Sequence, residues 1–190
     1  MSRIAPVPPQ LAPPDVRAAY ESAMKKFGRL PVPIAVTAHH PEVFAASMGF
    51  ERAFGRASKV DARLTALAAV KVASLVGCPF SMDVGSAVGR AAGVTEAQLR
   101  ALADHRKSTR FSDVERLVLD YAVAMTATPV EVPDAMFTAL RRHFNDEQMI
   151  ELTATIAWEN YRARFDHALG IEAQGFSEGA YCVVPERPAH

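Results

Sequence analysis

The chain's 190 residues are 49% hydrophobic, enough for one domain with a good-sized core. Its 21 basic and 21 acidic residues cancel, so no net field draws it to nucleic acid or an anionic membrane, and so small a net charge favours a defined oligomer. Two cysteines exclude a disulfide scaffold, the N-terminus lacks a signal peptide's apolar run, and the longest apolar stretch, Leu64 to Val76, is too short to span a bilayer and carries Lys71; a cytoplasmic protein with reduced thiols is expected.

Residues 1–14 hold five prolines and read as an extended arm, draped over its own domain or a neighbouring subunit. A first helix is predicted from Asp15 to Phe27, with Gly28 just past its end. Arg29 to His40 is irregular or a short helix, and Pro41 opens a helix through Phe54 that Gly55 ends. Asp61 caps the next helix, whose apolar face is Leu64, Leu67, Ala68, Val72 and Leu75, and Gly77 closes it. Cys78-Pro79 opens a helix running to Gly93. Thr95-x-x-Gln98 and Ser112-x-x-Glu115 are capping-box patterns ahead of apolar periodic stretches. A short helix is predicted from Asp134 to His143, and Asn145-x-x-Gln148 starts a long last one that ends at Leu169-Gly170. The sequence is irregular from Ile171. No strand alternation and no Gly-rich phosphate loop is found, so the fold class is all-α, one helical domain over 15–176 with a tail at 177–190.

The sharpest chemical signal is Gly77-Cys78-Pro79-Phe80-Ser81-Met82-Asp83-Val84-Gly85. With Pro79 as the first helical residue, Cys78 is the N-cap and its sulfur faces unsatisfied amides. Those donors and the helix dipole favour a thiolate, so a lowered thiol pKa is expected. Ser81 lies three residues on, on the same helical face, where its hydroxyl could hold the sulfur or a ligand. On its own, Cys78 is equally a small apolar residue packed at a helix junction, the commoner fate of a free cysteine.

The run Cys-Pro-Phe-Ser-Met-Asp-Val-Gly-Ser-Ala, followed by Gly-Arg-Ala-Ala-Gly-Val-Thr-Glu, resembles the signature helix of the carboxymuconolactone decarboxylase and alkylhydroperoxidase D-like superfamily. Ala38-His39-His40-Pro41, Asp61-Ala62-Arg63-Leu64, Phe111 to Arg116 and Asn160 to Gly170 resemble flanking segments of the same family, so the likeness covers residues 15–176. It implies an alkylhydroperoxidase D-like helical bundle with the N-terminal arm added, assembling as a dimer, trimer or hexamer. Redox members of the family use Cys-x-x-Cys, a histidine after the second cysteine and a glutamate about three turns before the first. On that pattern Cys78 keeps the first cysteine, Ser81 stands at the second, Gly85 at the histidine and Ala66 near the glutamate. A two-cysteine peroxidase cycle needs a resolving thiol and a proton shuttle, and these residues supply neither.

Cys182 is a distant resolving cysteine only if the tail folds back. Lys71, inside an apolar helix, is expected to pack its stem and carry its charge to water or a carboxylate. Asp83, one and a half turns past Cys78, is a candidate general base or a first-turn carboxylate that suits the dipole. His39 and His40 point about 100° apart and match no metal-ligand spacing, so no metal and no cofactor is expected. Glu159, Arg162, Asp166 and His167 read as a solvated or inter-subunit charged face, with some chance that Glu159 or His167 reaches a pocket. Met48, Phe50, Phe54, Phe80, Met82, Met125 and Met149 read as core and interface filling.

The candidate catalytic residues are thus Cys78, Ser81 and Asp83. The expected partners are a small-molecule substrate and further copies of the chain, with no nucleic acid and no membrane. The expected function is an enzyme with altered thiol chemistry, a lyase or isomerase on a small carbonyl, lactone or carboxylate compound. The alternatives are a single-cysteine thiol peroxidase using Cys78 and a non-catalytic oligomer that binds a small ligand.

Overall fold

The computed structural model describes residues 2–177. Cys182 and its expected approach to Cys78 lie outside the described residues, as does nearly all of the predicted tail. After a single turn of 3₁₀ helix at Pro9–Leu11 come α1 (Pro14–Phe27), α2 (Val32–Thr37), α3 (Pro41–Phe54), α4 (Ala62–Val76), α5 (Pro79–Ala91), α6 (Glu96–Ala101), α7 (Asp113–Thr126), α8 (Asp134–Arg141) and α9 (Asp146–Ala168), with no strand among the described residues.

Local chemistry sets most of these boundaries. The Asp61 carboxylate accepts the amide of Arg63 at 2.8 Å and starts α4. Thr95 with Gln98, Ser112 with Glu115, and Asn145 with Gln148 close reciprocal capping boxes at α6, α7 and α9. Gly77 ends α4 at φ 74°, a left-handed turn in which a side chain would be strained, and this lets α5 begin two residues later, after its N-cap Cys78.

α4 is the hub. It packs on α5, α7 and α9, and Leu67, Ala68, Val72 and Ala73 are fully buried. One face joins Met82, Leu99, Leu102, Phe111 and Leu119, and another joins Val118, Leu140, Leu152 and Ile156. Most of the predicted apolar face is buried, although Leu75 is 42% exposed, and each fully buried Leu, Ile or Val contributes about 1.5–3 kcal/mol by leaving water. Of the two fates expected for Lys71, its charge does not reach the surface: the residue is 4% exposed, and its Nζ donates to the carbonyl of Leu102 at 2.8 Å.

α1, α2 and α3 form a layer of their own around Val16, Tyr20, Ala35 and Phe44. The proline-rich arm lies on its own chain: the Arg3 amide donates to Leu169 O at 2.7 Å, and the Val7 amide to Ala35 O at 2.9 Å. Between this layer and α9 lies the cavity described next.

Candidate functional site

Cys78 is the N-cap of α5, and its Sγ accepts the Ser81 amide at 3.4 Å. The sequence placed it correctly, but its electrostatics are the reverse of the expectation. The residue is 0% exposed, enclosed by Val36, Phe80, Ala163 and Ile171. Burial pushes the thiol pKa up, and the nearby carboxyls of Asp166 and Glu159 push it the same way. Hydrogen bonding from Ser81 opposes them and loses. The helix-terminus donor lowers a thiol pKa, but burial away from solvent opposes it more strongly here.

Ser81 is buried beside Cys78, and its side chain hydrogen-bonds both toward the sulfur and to Glu159 of α9. Glu159, 4% exposed, is paired with Arg162. Arg162 reaches on to Glu51 of α3 at 2.9 Å, and the Trp158 indole N–H donates to the same Glu51 oxygen at 3.0 Å. Asp166, one turn further along α9, is also 4% exposed. No hydrogen-bond donor among the described residues reaches its carboxyl. Burial, then the negative charge of Glu159, pushes its pKa up to about 8, with Arg162 opposing and Glu51 adding to the rise. Burial raises the pKa of Glu159 as well, against Arg162 and Ser81. Three carboxyls therefore share one guanidinium, and the cluster holds a proton at neutral pH.

Arg162 and Asp166 form the polar floor of a cavity of about 520 Å³ between α1, α2, α3, α5 and α9. Its walls are mostly apolar, with Phe27, Ile34, Met48, Phe80, Trp158 and Phe165 among them. Along α9 and α3 the rings of Phe50, Trp158, Tyr161 and Phe165 stack in succession, at 4.6, 4.8 and 5.7 Å between centroids. A mainly apolar space of this size with a few convergent polar groups is the usual form of a small-molecule site. Met48 and Phe80 pack into the core clusters, as expected, and also line this cavity.

The structure takes Asp83 away from this chemistry. Its carboxylate accepts the backbone amides of Gln174 at 2.8 Å, Phe176 at 3.0 Å and Ser177 at 2.8 Å. Burial alone would raise its pKa, but those donors hold it below the usual carboxylate value. An acid so saturated is a clamp for the 171–177 segment and a poor general base. The other relay positions are closed. A Cβ on Gly85 would lie 3.0 Å from Val70 Cγ2, so α5 and α4 meet there closely and a side chain at 85 would require Val70 to shift. Ala66 is buried in the α4–α7 core.

The charged residues of α9 correct the expectation of a solvated face, since Glu159 and Asp166 are buried. The sequence carried a signal for this. Glu159, Arg162 and Asp166 stand at i, i+3 and i+7, interleaved with Trp158, Tyr161 and Phe165 at the same spacing, which puts aromatic and charged residues on one side of a helix. Among the described residues no group of three or more His, Cys, Asp or Glu side chains converges as metal ligands do.

The pattern of the carboxymuconolactone decarboxylase family matches residues 41–124. The uncharacterised protein YnjA of Escherichia coli (strain K12) is 40% identical over 131 residues, 68% of this chain and 69% of its own. The crystal structure of an alkylhydroperoxidase AhpD core, an uncharacterised peroxidase-related protein from Ralstonia eutropha JMP134, superposes with a TM-score of 0.80 at 22% identity, covering 97% of this chain and 98% of that one. The debrominase Bmp8 superposes at 0.81 with 20% identity, covering 93% and 95%. At such identities the two crystal structures show the fold alone.

Proposed function

The chain belongs to the carboxymuconolactone decarboxylase and alkylhydroperoxidase D-like superfamily, and from that premise we propose that it is an enzyme using Asp166 as its acid–base group on a small organic molecule held in the α9 cavity. The observation that carries this reading is Asp166 itself: a buried carboxyl with no hydrogen-bond donor among the described residues, lining a mainly apolar cavity, and poised to change protonation near neutral pH. Arg162, fixed between Glu51 and Glu159, holds the acid in its field and sets the floor on which a substrate's polar end would rest. The burial and raised pKa of Cys78 argue against a peroxide-reducing thiol. Debromination and peroxidase chemistry are properties of, or attributed to, distant relatives of the fold and are not carried over.

A second reading keeps Cys78 as a nucleophile. The hydrogen-bonded path from Sγ through Ser81 to Glu159 favours it, because Glu159 could take the thiol proton without solvent. One experiment separates the two. The purified protein is incubated with small-molecule cell extract in D₂O, and mass spectrometry follows compounds that are consumed or gain deuterium. The proposal expects turnover that falls at least roughly 100-fold in Asp166→Asn and survives in Cys78→Ser. Turnover lost in Cys78→Ser and retained in Asp166→Asn would transfer the chemistry to the thiol. Turnover that ignores both residues, or none at all, would remove the proposed acid–base role.

A further inference from the structure

The floor of the cavity has an unbalanced charge inventory. Glu51, Glu159 and Asp166 face a single guanidinium, that of Arg162. Cys78 lies behind them as a neutral thiol, and the other charged groups on the cavity, Asp15, Lys26 and Arg52, are exposed at its rim. One carboxyl, that of Asp166, has no hydrogen-bond donor among the described residues although it is 96% buried and lines the cavity. The walls beside it include the aromatic side chains of Phe80, Trp158, Tyr161 and Phe165, which suit the apolar body of a ligand. With Asp166 protonated, a carboxylate ligand would add a third negative group to Glu51 and Glu159 against one positive charge. A neutral ligand would leave the imbalance as it is. An ammonium would supply the missing positive charge while its apolar body meets the aromatic walls.

Resting on the reading of this cavity as the substrate site, we propose that its ligand is a small primary amine with an apolar body, bound with its ammonium against Asp166 and its apolar body against the aromatic wall of the cavity. The exchange balances. The entering R–NH₃⁺ keeps its three protons, the Asp166 carboxyl releases its own proton to solvent, and a carboxylate–ammonium pair remains. Binding therefore produces the basic form of Asp166 only when substrate is present. This departs from the carbonyl, lactone or carboxylate substrate that the sequence suggested.

The test uses three probes of one shape, benzylammonium, benzyl alcohol and benzoate, with the intact protein at about pH 6.5, where the free acid is protonated. The emission of Trp158, the chain's single tryptophan and a wall of the cavity, reports occupancy. Benzylammonium should bind at least roughly 10-fold more tightly than either of the others. Calorimetry in two buffers of different ionisation enthalpy should show close to one proton released per benzylammonium bound. In Asp166→Asn the preference and the proton release should disappear while benzyl alcohol binds as before, which also shows that the variant is folded. Equal or tighter binding of benzyl alcohol or benzoate, or benzylammonium binding without proton release, overturns the amine assignment and leaves the acid–base reading standing. If none of the three perturbs Trp158, the cavity is not the binding site and both readings fall.

Discussion

Asp166 is the residue in which burial and charge conflict most openly. In the unfolded chain it ionises near 3.8, and in the native state near 8. Between those values the native protein holds a proton that the unfolded chain has released. Stability therefore falls as pH rises across that window and is level above it. Asp166→Asn removes the ionisation. Relative to wild type, the variant should gain nothing below about pH 4 and gain most above pH 8, on the order of a few kcal/mol. Urea unfolding at several pH values checks this, and a variant whose relative stability does not rise with pH would refute it. Cys78, by contrast, shows how far sequence reaches at this scale. Its N-cap position followed from Pro79 and Gly77, which are local. Its protonation depends on Ala163, Ile171 and two acids of α9, which are about 80–90 residues away in the chain and carry no local mark.

Helices and caps were the legible elements, because a capping box or a proline at the first turn acts within four residues. The element that escaped is the 171–177 segment, irregular in sequence yet tightly tied. Its amides sit on Asp83, the Gln174 side chain accepts the Val32 amide at 2.8 Å, and the Phe176 ring meets Phe27 and Phe80 edge-on, each at 6.0 Å. Ile171 and Phe176 belong to the apolar cluster that encloses Cys78. Asp83→Ala removes the shared acceptor and should cost on the order of 2–3 kcal/mol. It should also raise the alkylation rate of Cys78 at least roughly 10-fold, because the segment that covers the sulfur opens more often. Intact-mass timing of iodoacetamide labelling reads this directly. Unchanged protection would mean that the thiol is sealed by α2 and α9 alone.

At the scale of the whole molecule the family likeness and the chemistry part company for a reason of packing. The bundle is assembled around α4, and α5 approaches it closely at Gly85, where a Cβ would meet Val70 Cγ2 at 3.0 Å. Val70 is 1% exposed and packed in the same core as Leu67, Met82 and Leu99, so giving way would disturb that core. The place where redox relatives carry a histidine is here the contact between two helices, and the ionisable groups have gathered on α9 instead. Gly85→Ala tests this reading. Alanine should favour the helix by about 1 kcal/mol, while overpacking against Val70 costs about 1–3 kcal/mol, so a net loss is expected. Adding Val70→Ala removes the colliding methyl groups, and the double variant should lose less than the two single variants together, by at least about 0.5 kcal/mol. Urea unfolding of the four proteins yields that coupling. Strict additivity would mean that α5 shifts freely on α4, and the absence of a histidine at Gly85 would then need a cause other than packing.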